Sequence, residues 1–377
     1  MLSKVGGDVI VVGAGLIGLA IANELAARGA TVRVFDLGEP GAGASWAGAG
    51  MLAPYAERID DEAMLALCQR SLALYPDFVR GLEDETGIDA ELRLDGIVEA
   101  AFDEERLDAL REHADLCAAH GIDARVLERG DAMLAEPSLG RHLRGAMIVG
   151  KQGYVDNRRL GRALREACRR RGVTVDAPLQ HLSVECDARR VRGVRTSLGF
   201  ASADVVINAA GAWAAHIDGV PAHAAPRVFP VKGQMLALAA PVGFLRRTTW
   251  VPGAYFVPRS DGRLLIGATV EEAGFDQHVT AAGIRTLLDA ALSAAPALGA
   301  FTITESWAGQ RPGSPDGRPI IGPTPVDGLI VATGHYRNGI LLTPETAKLV
   351  ASFVETGDAH PLAEFAFREG ENQRRRA

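Results

Sequence analysis

Three short stretches of the chain hold residue types whose spacing fits a chemical task. The first is GAGLIG, which sets Gly13, Gly15 and Gly18 in G-x-G-x-x-G order, with Asp36 farther on. Such glycines let backbone N–H groups close on a pyrophosphate, and an acidic side chain beyond them accepts hydrogen bonds from ribose hydroxyls. The second is AGQRPGSPDG, where Arg311 is flanked by Gly309 and Pro312. A guanidinium takes a carboxylate through two parallel bonds, as a lysine cannot. The third is ATGHYRNGILL (332–342), a glycine-bounded loop that carries His335, Arg337 and Asn338 into an apolar run. Tyr255, which opens YFVPR, adds a phenol able to bond the same kind of anion.

The elements around these residues follow from pattern. Val9–Val12 is a continuous β-branched run, as expected of a strand buried on both faces of a parallel sheet. A periodic segment from Leu16 to Arg28 then reads as a helix that stops at Gly29, and a second strand, TVRVF, ends at Asp36. Strand, turn, helix and trailing acid together form a dinucleotide-binding unit. Gly13 permits the tight turn, Gly15 the close backbone approach, and Gly18 the packing of helix on strand. The negative charge at Asp36 disfavours a 2′-phosphate and so disfavours NADP. The motif by itself does not separate NAD from FAD.

The next loop, GAGASWAGAGMLAP, is crowded with small residues directly after the second strand. An extended FAD needs a second close backbone contact along its pyrophosphate and ribityl chain, and small side chains allow one. Ser45 can bond a phosphate, and Ala49, Gly50 and Met51 can lie along the flavin ring. The loop therefore favours FAD.

Composition bounds the rest. The chain has 377 residues, 47% hydrophobic and 23% charged, with net charge −7. One large or two medium domains of an ordinary globular protein are expected, and nucleic acid is not the expected partner. The runs Arg169–Arg171 and Arg374–Arg376 read as solvated surface. Cys68, Cys117, Cys168 and Cys186 form no CxxC, and no histidine pair has ligand spacing, so neither a disulfide framework nor a metal site is expected and a cytoplasmic location fits. The apolar stretch Val9–Ala27 is read as strand, turn and helix, not as a signal peptide or membrane span.

Residues 60–82, 103–120 and 155–172 read as helices, the last with Asp156 or Asn157 as its cap. Val173–Val175 and a hairpin region around 182–194 follow, and 203–213 is a buried strand entering a small-residue turn. From 228 to 269 short strands alternate with turns, with an Asp-Gly hairpin turn at Asp261-Gly262. A helix over 280–295, a strand over 301–309 and a final strand over 327–335 lead to a helix read as starting at Ile340. That start would set the amides of Asn338, Gly339 and Ile340 at the positive end of a helix dipole, which stabilises a reduced flavin by about 0.3–2 kcal/mol.

Several stretches recur together and in this order in one family. They are GAGLIG, Asp36, SWAGAGMLAP, VKGQM, YFVPRSDGRLLIGAT, WAGQRPGSPDGRPIIG and GHYRNGILLTP. In them the chain resembles the D-amino-acid-oxidase superfamily of flavoproteins, in its glycine-oxidase branch, over nearly its whole length. The resemblance implies an α/β fold with a discontinuous Rossmann-like FAD-binding domain (1–82, 148–225 and 305–370) and an α+β substrate domain built on a large antiparallel sheet (83–147 and 226–304). It implies non-covalent FAD, which removes a hydride from the α-carbon of glycine, sarcosine or a small D-amino acid. The products are an imine, then the 2-oxo acid, and hydrogen peroxide from dioxygen. The imine would serve thiamine synthesis, and a homotetramer is implied.

The same resemblance gives Arg311 the substrate carboxylate and puts Tyr255 and Arg337 near the substrate. Along the cofactor it adds Leu16, Ile17, Leu37, Ala44, Leu179, Gly211, His335, Tyr336 and Leu341 to the residues already named. Val270 stands where the pattern often has Met, at a position that borders the pocket. A dehydrogenase passing electrons to a quinone and a non-catalytic flavin-binding subunit are the competing readings. The pair Arg311 and Arg337 argues against the second.

Overall fold

The structure is a computed structural model and describes residues 8–57, 59–187 and 189–368. The basic run Arg374–Arg376 and the end of the domain span drawn to 370 lie outside them. Two large sheets dominate. The first has six strands in the order Ile320–Pro323, Leu329–Thr333, Val205–Asn208, Asp8–Val12, Thr31–Phe35 and Thr174–Asp176. Its pairs are parallel except for the one joining Ile320–Pro323 to Leu329–Thr333.

Val9–Val12 sits near its centre and is buried on both faces, as its unbroken β-branched run requires. Helices Leu16–Ala27, Glu62–Thr86, Asn157–Arg170 and Thr343–Thr356 cover one face in a single apolar core. A three-stranded antiparallel sheet over Leu182–Cys186, Val191–Thr196 and Gly199–Ser202 covers the other.

The second sheet has eight strands in the order Ile303–Gly313, Phe229–Ala239, Arg263–Gly267, Ala254–Pro258, Thr248–Val251, Ile97–Ala101, Gly145–Val149 and Ala124–Glu128. It is antiparallel throughout apart from the pair Thr248–Val251 with Ile97–Ala101. Helix Ala281–Ala294 packs on one face with its own core. The strand Ile303–Gly313 lies wholly in this sheet, so a domain boundary at 305 would cut it.

The side-chain caps explain where several helices begin. Asp61, Asp103, Asp156 and Thr280 each accept from a backbone N–H of the first turn. The helix read as 60–82 runs on from Glu62 to Thr86 with Pro76 inside it, and ends at a left-handed Gly87. Asp156 caps Asn157–Arg170 through Arg158 N and Arg159 N, which frees the Asn157 amide for another task. No helix among the described residues is long and apolar enough to cross a membrane.

Candidate active site

The two sheets enclose a cavity of about 840 Å³. One end lies at Asp36 and Leu37. Its wall passes Gly13, Gly15, Leu16 and Ile17, follows the loop from Ala44 to Met51, and reaches Gly211, Tyr255, Arg311 and the turn from His335 to Ile340.

At the first end the glycines are fixed by crowding. A Cβ at Gly13 would come within 2.5 Å of Ala209 O, and one at Gly18 within 1.9 Å of Gly13 O. Gly18 thus serves helix–strand packing and does not line the cavity. Asp36 binds the turn to the second strand, accepting from Ala14 N at 2.6 Å and Gly38 N at 2.8 Å. Burial pushes its carboxyl up, and these backbone bonds oppose the rise. Ser45 Oγ accepts from Leu16 N at 2.9 Å, so the hydroxyl stands at the helix N-terminus with its own proton left to donate. Leu179 donates its backbone N–H to Asp36 O, packs in the core with Val12 and Phe35, and lies outside the cavity wall.

The small-residue loop forms a short helix, Ala44–Ala47, and an extended run to Met51. Side chains remote in sequence hold its carbonyls. Asn157 Nδ2 donates to Ser45 O and Trp46 O, Trp307 Nε1 donates to Ala47 O at 2.9 Å, and buried Arg259 donates to Ala49 O at 2.9 Å. Arg158 lies 3.7 Å from the Trp46 ring centroid and pairs with Glu305. Room is tight here too. A Cβ at Gly50 would meet Val155 O at 1.8 Å, and one at Gly309 would meet Ala47 Cβ at 2.4 Å. None of these clamps stands out locally in the sequence, because each is a bond between distant segments.

At the far end the large sheet presents Arg311 and Tyr255 to the cavity. Tyr255 is paired across the strands with Gly267, and a Cβ on that glycine would lie 2.6 Å from its Oη. Arg311 leans over Gly233 on the neighbouring strand, where a Cβ would meet Nη1 at 2.3 Å. Its Nη1 donates to Thr269 O at 3.2 Å. Two glycines thus open a shallow trough in which guanidinium and phenol lie side by side. Burial pushes the Tyr255 phenol up, and Arg311 opposes the rise. Arg318, the other arginine of the motif, pairs with Asp61 at 2.5 Å away from the cavity.

The turn from the last strand departs from its sequence reading. The regular helix begins at Thr343 and not at Ile340. A 3-10 turn over Tyr336–Asn338 comes first, with Tyr336 in the left-handed region at φ 47°. Tyr75 Oη donates to Ile340 O, and Ser71 Oγ to Leu341 O at 2.6 Å, and these bonds hold the segment in a separate turn ahead of the helix. Pro344 is then accommodated in the first turn, where no N–H is needed. Gly339 and Ile340 line the cavity, while Asn338 and Leu341 do not. His335 borders it, but its Nε2 is engaged 3.1 Å from Thr346 Oγ1 in the helix behind. Burial lowers its pKa to about 3, so the ring is neutral. Arg337 is exposed at the mouth.

Sequence reasoning missed two charged wall residues, Glu39 beside Asp36 and, at the far end, Glu57. Glu57, just after the small-residue loop, lines the same cavity as Arg311 and Arg337. Burial pushes its carboxyl up, and Arg337 and then Arg311 pull against that rise. Among the described residues no cluster of His, Cys, Asp and Glu converges as a metal site.

These features fit FAD. The volume and length suit an extended dinucleotide with room for a small molecule beside it. Asp36 can take the adenosine ribose, and the amides from Gly15 and Leu16 with the Ser45 hydroxyl can take the pyrophosphate. Ala49–Met51 and the Gly339–Ile340 turn can flank the flavin ring, next to Arg311 and Tyr255.

Comparison with known proteins gives the same assignment. The chain matches the FAD dependent oxidoreductase (DAO) family over residues 8–353. It is 38% identical to glycine oxidase of Geobacillus kaustophilus over 363 residues, covering 95% of this chain and 96% of that protein. It is 39% identical to the bifunctional protein ThiO/ThiG of Synechocystis sp. over 367 residues, covering 94% of this chain and 52% of that protein. The chain thus spans about half the length of the bifunctional relatives it matches.

Among solved structures, the G. kaustophilus glycine oxidase superposes with TM-score 0.91 at 38% identity, covering 97% of this chain and 99% of that one. An iminodiacetate oxidase from Chelativorans sp. superposes with TM-score 0.84 at 30% identity, covering 95% and 98%. With the match running across both sheets and the cavity between them, the chain belongs to the FAD-dependent oxidoreductase family of D-amino-acid-oxidase type.

Proposed function

We propose that this protein is a glycine oxidase, an FAD-dependent enzyme that oxidises glycine and other small amino acids such as sarcosine and small D-amino acids. The observation that carries this reading is the trough over Gly233 and Gly267, where Arg311 and Tyr255 present a carboxylate clamp beside the cofactor cradle. Bound FAD supplies the two-electron chemistry, taking a hydride from the substrate α-carbon and passing the electrons to dioxygen as hydrogen peroxide. The protein's part is placement. Arg311 takes the carboxylate through two bonds, and Tyr255 adds a third donor. The amine leaves its proton outside the site, and its lone pair forms the imine as the α-hydride departs. Water then hydrolyses the imine to the 2-oxo acid and ammonia. Neutral His335 adds no charge near the ring.

The bifunctional relatives join a comparable chain to ThiG, and by that likeness the imine supplies the thiazole of thiamine. A homotetramer in the cytoplasm completes the reading, to be checked by light scattering and cell fractionation. The activity is tested by adding glycine, sarcosine and small D-amino acids to the yellow holoprotein without oxygen, then admitting air. Bleaching followed by peroxide is expected. Bleaching reversed only by a dye or quinone would point to a dehydrogenase, and no bleaching would sink the assignment.

A further inference from the structure

Arg311 and Tyr255 account for one carboxylate, which leaves two charged residues at this end of the cavity, Arg337 and Glu57, without a task. Arg337 comes from the turn after the last strand of the first sheet, and Glu57 from the segment that follows the cofactor loop. Glu57 is held in place from two sides. Gln152 Oε1 accepts from Tyr55 N at 2.9 Å, and Ala53 and Ala56 pack against Trp250 and Ile97. On the other side the carboxylate faces the turn that carries Arg337 and Asn338. Its field reaches both guanidiniums and the Tyr255 phenol.

The charge count is short. Arg311 and Arg337 contribute +2, and Glu57 contributes −1 when ionised, a state that its burial opposes and the two guanidiniums favour, for a net +1. An amino acid ready for oxidation has a neutral amine and a single carboxylate, so it carries −1. A substrate with a second acid, on its nitrogen or its side chain, carries −2. Space does not exclude such a substrate, since Val270 at the rim is small and 53% exposed.

We propose that Glu57 is a specificity-determining residue: it cancels the charge of Arg337, leaves Arg311 as the one carboxylate receptor, and so selects amino acids with a single acidic group over those with two. This rests on the reading of the cavity as an amino-acid site. Removing the Glu57 charge unmasks Arg337 for a second carboxylate, and charge complementarity of this kind acts on the choice between ligands.

The test uses the FAD-loaded protein and its Glu57→Gln and Glu57→Asp variants. Acetate and malonate, which cannot be oxidised, are titrated against the flavin absorbance. Glycine and iminodiacetate are then compared in anaerobic flavin reduction. Glu57→Gln should shift the malonate-to-acetate affinity ratio about tenfold towards malonate, and the iminodiacetate-to-glycine ratio of kcat/KM in the same direction. Glu57→Asp should stay close to the parent. The gain should vanish in the double variant Glu57→Gln/Arg337→Gln. Unchanged ratios in Glu57→Gln, or a gain that survives loss of Arg337, would overturn the proposal.

Should Glu57→Gln fail to hold FAD, Arg337→Gln alone decides. With Glu57 left uncompensated, malonate should weaken more than acetate, and equal weakening would overturn the assignment. If glycine does not reduce the parent enzyme the functional reading fails, while the acetate and malonate titrations still report on Glu57.

Discussion

Arg311 occupies the space that a side chain at residue 233 would fill. A Cβ on Gly233 would lie 2.3 Å from its Nη1 and 2.5 Å from its Cζ. The guanidinium therefore lies flat along the neighbouring strand, with Thr269 O accepting one of its N–H groups. Gly233→Ala must lift or turn it, because strand backbone at this depth cannot give by the required amount. The expected outcome is a rise in KM for glycine of about tenfold or more, as misplacing an orienting group does, with full FAD occupancy. Stopped-flow reduction and the flavin spectrum check the two parts separately. An unchanged KM would mean that Arg311 does not hold the carboxylate.

Asp36 joins the phosphate turn to the end of the second strand through Ala14 N and Gly38 N. Hydrogen bonds to a charged acceptor contribute about 1.5–3 kcal/mol each. Asp36→Ala removes both, together with the carboxylate that we propose accepts from the ribose. FAD affinity is expected to fall at least tenfold, measured by flavin fluorescence on dilution, while kcat at saturating FAD changes little. Equal affinity in the variant would show that the ribose is held elsewhere.

The strand, turn, helix and second strand at the start of the chain were legible in the sequence because every signal there is local. A β-branched run, three spaced glycines, an apolar helix and a trailing acid fall within the first 36 residues. Helix starts at Asp103, Asp156 and Thr280 were close to legible for the same reason, each being a short polar residue ahead of a periodic run.

The substrate end was less so. Gly233 and Gly267 look like ordinary strand glycines until Arg311 and Tyr255 are laid across them by strand pairing. Strands Ile97–Ala101, Ala124–Glu128 and Gly145–Val149 were not read at all, since short apolar runs between helices carry no period that separates them from helix or loop. Glu57 sits in a stretch with no period of its own, and only the fold brings it to the arginines. The late helix start at Thr343 reflects bonds from Tyr75 and Ser71, far away in the chain.

Arg259 is 3% exposed and donates to Ala49 O and Val155 O, so a single buried guanidinium ties the small-residue loop to the segment that leads into the helix beginning at Asn157. It also helps hold the Asp156 carboxyl below its usual range. Arg259→Leu strands those carbonyls and leaves Asp156 less compensated. Leaving a buried acceptor without its donor costs about 1–3 kcal/mol. A lower urea midpoint and faster FAD release are expected together. Loss of stability without faster release would confine Arg259 to the core and remove it from the cofactor loop.

His335 gives the protein a pH dependence that can be traced to one ring. Its imidazole is buried against Thr346, with a pKa lowered to about 3 in the fold, against about 6.5 in an unfolded chain. Between those values the unfolded state binds one proton more than the folded state. Stability therefore rises with pH across that window and is lost as pH falls below about 6.5, by about 1.4 kcal/mol per unit. His335→Gln keeps a polar partner for Thr346 and removes the titration. Comparing urea unfolding at pH 7.5 and pH 5, the parent should lose about 2 kcal/mol more than the variant between the two conditions. Equal losses would show that the ring is free to ionise in the folded protein, and that a positive charge can form beside the cavity after all.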